Sequence, residues 1–301
     1  MFIVTHRKLF FIISSLLVVG SIVSMFLFGL HFGIDFTGGS LLEVTFTNGR
    51  PTLDDANTRL APLALGEYSL RPSGDSNLVL RSRELTPAEK TQVESALSSG
   101  HPENIQEDRF DSVGPTVGAS LKQKSFYAIG AVILCIVLFV TFAFRKVSLP
   151  VASWKYGVAT IVALAHDVLI PAGVYVVFGH FTGAEIDILF VTALLAILGY
   201  SVHDTIVVFD RVREHLRVNG EYRTKEPFEE TVGKSVRETF GRSINTSLTI
   251  FLVLAALFFL GSEATRNFSF ILLIGIIVGT YSSIFIASPL LVTLEKLQKK
   301  E

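Results

Sequence analysis

The chain has 301 residues, half of them hydrophobic and 18% charged, with a formal net charge of −1. That balance gives no electrostatic footprint for nucleic acid, and a single cysteine, Cys135, excludes an intrachain disulfide and any cysteine-based metal centre. The apolar residues are gathered into blocks near the ~20 residues that cross a bilayer, which marks a multi-pass membrane protein.

The first block, Leu9–Leu30, follows the basic stretch His6-Arg7-Lys8. Its apolar core exceeds the roughly 7–15 residues of a signal-peptide core, and Gly29-Leu30-His31-Phe32 offers no small-x-small cleavage pattern. It therefore reads as a retained anchor rather than a signal peptide.

Residues 31–125 form the only large polar segment. Leu41–Thr47 alternates as a strand, and Thr52–Leu63 has helical spacing. Tyr68–Arg71 and Leu78–Arg83 read as strands joined by the turn Pro72-Ser73-Gly74-Asp75-Ser76-Asn77. Thr86-Pro87-Ala88-Glu89 places a capping threonine before a proline and opens a helix to Ser98, and Ile105–Val113 closes the segment as a strand. The order βαββαβ predicts a small ferredoxin-like α+β domain. It carries no histidine cluster, phosphate loop or nucleophile motif, so binding or mechanical work suits it better than catalysis. Glycine-containing stretches flank it, with Gly38 and Gly39 on one side and Gly114, Pro115 and Gly118 on the other. They read either as ordinary turns at a membrane exit or as a hinge.

Five further blocks follow, at Phe126–Phe144, Tyr156–Phe178, Ile186–Phe209, Ser243–Leu260 and Phe268–Leu294. The expected fold is thus a six-helix membrane protein with an α+β domain between the first two helices. Its parts are 1–30, 31–125 and 126–301, with an amphipathic segment at 211–242. Lysine and arginine set the orientation. Arg7, Lys8, Arg145, Lys146, Lys155, Lys225, Lys234, Lys296, Lys299, Lys300 and the arginines of 211–242 fall on one side. The opposite short loops carry only Arg266, so both termini are expected in the cytoplasm. Phe228, Val232, Val236 and Phe240 recur every four residues, as in an amphipathic helix on the membrane or against a partner.

Ionisable groups inside the spans are the functional candidates. A carboxylate at bilayer depth costs about 2.5–3.5 kcal/mol on insertion scales and usually faces a bundle interior or water path. Asp204 lies in the fourth span with Tyr200 on the same face at i, i−4 and His203 beside it. His166 and Asp167 sit mid-way along the third span, with Pro171 a turn later. Arg242 stands at the entry of the fifth span, followed by Ser243, Asn245 and Thr246. An arginine can hold a carboxylate charged and release it when the carboxylate gains a proton, so Asp204 and Arg242 form a candidate titratable pair. Packing alternatives stand beside each reading. Asp204 can be a structural ion pair, Asp167 a helix-packing partner, and Arg242 an anchor reaching the headgroups.

Five segments together resemble the SecD/SecF family of bacterial protein-export membrane proteins, on its SecF side. They are Gly33–Gly39 (GIDFTGG), Val113–Gly118 (VGPTVG), Gly199–Arg213 (GYSVHDTIVVFDRVR), Arg242–Thr249 (RSINTSLT) and Gly279–Pro289 (GTYSSIFIASP). The resemblance covers nearly the whole chain. It implies half of a transporter of the resistance-nodulation-division type, completed by SecD in the inner membrane. It further implies use of the proton gradient to help draw unfolded preprotein from the SecYEG channel on the periplasmic side. No enzymatic activity, cofactor or metal is implied. Asp204 and Arg242 match members of the family's proton-linked network. The family usually has asparagine where this chain has His203, so that imidazole either titrates beside Asp204 or replaces the amide as a hydrogen-bond partner. The competing classes are a small-molecule efflux subunit of the same superfamily and a non-transporting scaffold.

Overall fold

The computed structural model describes residues 2–145, 151–224 and 226–298. Lys146, Lys225, Lys299 and Lys300, which enter the charge reading, lie outside the described residues. The chain divides into two compact units, Phe32–Phe126 and the remainder, Met1–His31 with Tyr127–Glu301.

After α1 (Phe2–Thr5) and α2 (Arg7–Phe28), the chain enters the first of these units through the short helix α3 (Ile34–Thr37). It then forms β1 (Gly39–Phe46), α4 (Leu53–Leu60), β2 (Ser69–Ser73), β3 (Asn77–Ser82), α5 (Pro87–Leu97) and β4 (Ile105–Val113). The strands pair antiparallel in the order β2-β3-β1-β4, as the ferredoxin-like reading requires. Alternation puts Leu42, Val44 and Phe46 of β1 and Leu78 and Leu80 of β3 on one face. There they pack with Ala56 and Leu60 of α4 and Val93 and Leu97 of α5. Each of the leucine, valine and phenylalanine side chains removed from water contributes about 1.5–3 kcal/mol, so this face holds the unit together.

The entry to α5 shows a local cause in full. Glu89 N–H donates to Thr86 Oγ1 at 3.3 Å, and Thr86 N–H donates to the Glu89 carboxylate at 2.8 Å. Arg83 pairs with the same carboxylate at 2.5 Å. This pairing first, and then the Thr86 bonds, hold the Glu89 carboxyl at about 2 rather than its usual 4.5. A depressed folded-state pKa contributes stability above about 4.5 that is lost as pH falls through about 2. Amide-exchange protection in the first turn of α5 is therefore expected to decline across that window, and Glu89→Gln to flatten the decline. The same pH dependence in both proteins would contradict the assignment.

The flanking glycines mark places where backbones meet. Gly38 and Gly39 have φ of 75° and 120°. A Cβ on Gly38 would stand 2.7 Å from Pro115 Cα, and one on Gly118 2.8 Å from Gly38 N. A Cβ on Gly39 would lie 2.5 Å from the Ser82 carbonyl oxygen. Gly114 has more room, its nearest neighbour being the Glu84 carboxylate at 3.5 Å. Pro115 occupies the first position of the next helix, where its missing N–H costs nothing.

The second unit adds α6 (Pro115–Ala143), which leaves the first, then α7 (Ser153–Thr182), α8 (Ile188–Glu221), α9 (Phe228–Leu260) and α10 (Glu263–Ser282). A π-helical turn at Ser283–Ala287 joins α10 to α11 (Ser288–Gln298). Among the described residues, six helices or helix runs have the length and apolarity of membrane spans. Small residues allow close contact: Gly173 of α7 meets Ser21 of α2, where a Cβ would come within 2.5 Å of Ser21 Cα. Ser24 Oγ donates to the Gly173 carbonyl at 3.2 Å. At one end of the bundle Glu229 pairs with Arg7 at 3.2 Å and with Lys296, tying α9 to α2 and α11.

One expectation is corrected. The described residues of 211–242 do not form one separate helix. Arg211–Glu221 continues α8, and the remainder begins α9 at Phe228. Phe228, Val232 and Val236 are buried against Val208, Phe209 and Val212 of the neighbouring helix, while Phe240 is exposed. From Phe228 to Val236 the stripe is an internal seam.

Candidate functional site

The helical period of α8 buries Ile197, Ser201, Asp204, Thr205 and Val208, and turns Gly199 and His203 outward. Three polar side chains, Ser201, Asp204 and Thr205, thus enter the interior of an apolar bundle, and each finds a polar partner there.

Asp204 is 6% exposed. Its Oδ1 accepts a hydrogen bond from Ser243 Oγ of α9 at 2.6 Å. Its Oδ2 is buried and has no hydrogen-bond partner among the described residues. One turn earlier, the Tyr200 hydroxyl bonds Ser247 Oγ at 2.6 Å. Tyr200 and Asp204 on α8 therefore face Ser243 and Ser247 on α9 as two successive rungs, both spaced by four. Ser247 also shares a hydrogen bond with Thr280 Oγ1 of α10 at 2.5 Å and donates to the Ser243 carbonyl at 2.7 Å. An apolar groove of about 300 Å³ between α9 and α10 reaches this line at Ser247, Thr280 and Tyr281.

A second carboxylate lies deeper. Asp167 of α7 is fully buried. Its Oδ1 meets His166 Nδ1 at 2.9 Å, and its Oδ2 accepts from Ser282 Oγ at 2.7 Å and from Ser201 Oγ. Beside it, Thr205 Oγ1 and Ser283 Oγ lie 3.0 Å apart, and the His166 ring stacks on Tyr281 with centroids 5.9 Å apart. Hydroxyls from α8, α9, α10 and the π-helical turn thus hold two carboxylates inside the bundle.

The structure separates the expected residues into two groups. It brings together Asp204, Tyr200, His166 and Asp167. It places His203, Arg242, Asn245 and Thr246 on the exposed side of α8 and α9. Among the described residues Asp204 and Arg242 form no ion pair, and Asp204 accepts instead from Ser243. The hydroxyls of Ser201, Thr280, Ser282 and Ser283 were not singled out from sequence. Their signal was available, as Ser201 and Thr205 recur at i, i+4 and Thr280 and Ser283 at i, i+3 within apolar windows.

A carboxylate with one oxygen held by a hydroxyl and the other unengaged can take a proton at the second oxygen without dismantling the first bond. Gaining that proton removes a charge that is expensive at bilayer depth and weakens the charge-assisted bond to Ser243. The arrangement is suited to a proton-linked change in how α8 and α9 are joined.

Comparison with known proteins gives a consistent result. Residues 92–297 match the model of the protein-export membrane protein SecD/SecF C-terminal region, and residues 23–49 match the SecD/SecF GG motif. The chain is 41% identical to the protein translocase subunit SecF of Thermobaculum terrenum, over 97% of this chain and 93% of that one. It is 38% identical to the corresponding subunit of Anaerolinea thermophila, over 96% and 92%. Among solved structures it is similar to SecDF of Thermus thermophilus, a translocon-associated membrane protein, with a TM-score of 0.81 and 30% identity. That match covers 97% of this chain, which spans only 38% of the SecDF chain.

Proposed function

The chain belongs to the SecD/SecF family of protein-export membrane proteins, and we propose from that premise that it is a SecF-type subunit which couples the proton gradient to protein export. The observation that carries the coupling is Asp204, a buried carboxylate with Oδ1 on Ser243 and Oδ2 without a partner among the described residues. In this reading Asp204 takes and releases the proton. Arg242 stands one residue before Ser243, the hydroxyl bonded to Asp204, and Tyr200, Ser243 and Ser247 align α8 with α9. His203, facing outward, acts as a hydrogen-bond partner in place of an amide.

The relatives matched are named translocase subunits, and the solved neighbour is a SecDF chain. On that support the partner is a SecD subunit, with a SecYEG channel and an unfolded preprotein beyond it. The location is a bacterial inner membrane with both termini in the cytoplasm, which the lysine and arginine distribution supports. The sheet domain then works on the periplasmic side. Gly38, Gly39, Gly114, Pro115 and Gly118 form the junction that transmits its movement.

The test is gradient-driven export in vesicles carrying the complex. Asp204→Asn keeps the shape of the side chain and removes the titratable group, so stimulation by the proton gradient should fall to the level seen without the complex. Arg242→Met should lower it severely. SecD should co-purify with both variants at the wild-type amount. Full stimulation with both variants would overturn the reading in favour of a packing role for the two charges.

A further inference from the structure

Asp167 is more deeply buried than Asp204, yet nothing in the proposed proton step uses it. Its three hydrogen-bond donors come from three different places: His166 on its own helix, Ser201 on α8, and Ser282 at the last residue of α10. Ser201 precedes Asp204 by three residues, about one turn on the same face of α8. Whatever fixes Ser201 therefore fixes the direction in which Asp204 points.

The other arm ends on an unusual piece of backbone. Ser282 directly precedes the π-helical turn Ser283–Ala287. Such single turns carry one extra residue per turn and occur often at functional sites. Here the turn is held in register by side chains. Ser283 Oγ pairs with Thr205 and lies 3.4 Å from the Ser201 carbonyl, and Ser288 Oγ donates to the Ser283 carbonyl at 2.9 Å. Closing the turn into an ordinary helix would rotate what precedes it by about 100° and carry Ser282 away from Asp167. Close approach of α8 and α10 is built into the same seam, since a Cβ on Gly279 would stand 3.1 Å from Ser201 Cβ.

We propose that Asp167 is a positioning residue for Asp204: through Ser201 and Ser282 it locks α8 against the π turn of the last span. The lock requires an acceptor that serves two hydroxyls on one oxygen and an imidazole on the other, which a carboxylate supplies. The ionisable groups around it are few among the described residues. His166 is on its own helix, and α10 contributes Tyr281 behind the imidazole. On α8 Asp204 follows one turn beyond Ser201, and α2 faces the region with Ser14, bonded to Tyr281 at 3.3 Å. The proposal rests on Asp204 being the proton-exchanging group.

Three variants in the reconstituted complex test it: Asp167→Asn, Ser282→Ala, and the double change Ser201→Ala with Ser282→Ala. Gradient-driven export is read as a function of pH, with abundance and SecD co-purification as controls. The double serine variant, which keeps Asp167, should shift the pH midpoint of export in the same direction as Asp167→Asn. Ser282→Ala should give a smaller shift, with abundance near wild type. If Asp167→Asn abolishes export while the serine variants keep the wild-type profile, Asp167 carries a proton itself and the positioning role is wrong. If all three keep the wild-type profile, the cluster is packing only. If Asp167→Asn fails to accumulate, the serine variants still decide between these outcomes. Failure of the underlying reading is separate, because it shows as full export by Asp204→Asn.

Discussion

An alanine at position 39 should strongly destabilise the sheet domain. Gly39 has φ of 120°, a region open essentially to glycine alone, and its missing Cβ leaves only 2.5 Å to the Ser82 carbonyl oxygen. The neighbour is backbone held in a strand pair, as Ser40 of β1 lies opposite Ser82 of β3, so it cannot swing aside. Backbone strain of about 1–3 kcal/mol adds to a steric penalty of similar size, together about 2–6 kcal/mol. Small domains hold only about 5–15 kcal/mol in total. Gly49→Ala supplies the comparison, because Gly49 also has positive φ, at 88°, but nothing lies within 4 Å of its would-be Cβ. Amide-exchange protection across β1 and β3 should collapse in Gly39→Ala and weaken only modestly in Gly49→Ala. Equal loss in the two would mean that φ alone matters and the approach of Ser82 does not.

Gly173→Leu should separate the first membrane helix from the bundle. Even a methyl group at position 173 would come within 2.5 Å of Ser21 Cα, and a leucine cannot be housed unless α2 moves. Moving it also breaks the bond from Ser24 to the Gly173 carbonyl. Overpacking of this kind costs about 1–3 kcal/mol, and the loss of small-residue helix contact adds to it. Gly20→Leu is the control within α2, since nothing stands within 4 Å of a Cβ there and leucine is the better helix former. The detergent-solubilised protein should therefore melt several degrees lower with Gly173→Leu and at or above wild type with Gly20→Leu. Equal melting temperatures for wild type and Gly173→Leu would show that the α2–α7 approach is not a point of stability.

The sheet domain was legible almost strand by strand, because alternation and capping are local signals. Thr86, Pro87 and Glu89 specify the start of α5 without help from the rest of the chain. Helix ends in the bundle were not legible in the same way. Hydropathy stops where charges begin, at Phe209, but the helix does not. Beyond that point Arg213 pairs with Asp210 and Arg217 with Glu221 at helical spacing, which carries α8 on to Glu221. The stripe ending at Phe240 was read as outward-facing because sequence shows periodicity and not the partner it meets.

The site divides similarly. Asp204 with Tyr200 followed from i, i+4 geometry. The expected contact with Arg242 did not form, for a reason helix geometry supplies. Neighbouring positions on a helix point about 100° apart, and Ser243 already faces Asp204, so Arg242 must point elsewhere. The hydroxyl lattice around Asp167 joins residues far apart in the chain, and no local pattern announces which serine meets which carboxylate.

Proton influx into liposomes holding this chain with its SecD partner, driven by an imposed pH gradient, tests the coupling role of Asp204 most directly. Wild type should conduct protons and Asp204→Asn should fall to the rate of empty liposomes, with the complex intact in both. Influx by Asp204→Asn at the wild-type rate would contradict the account.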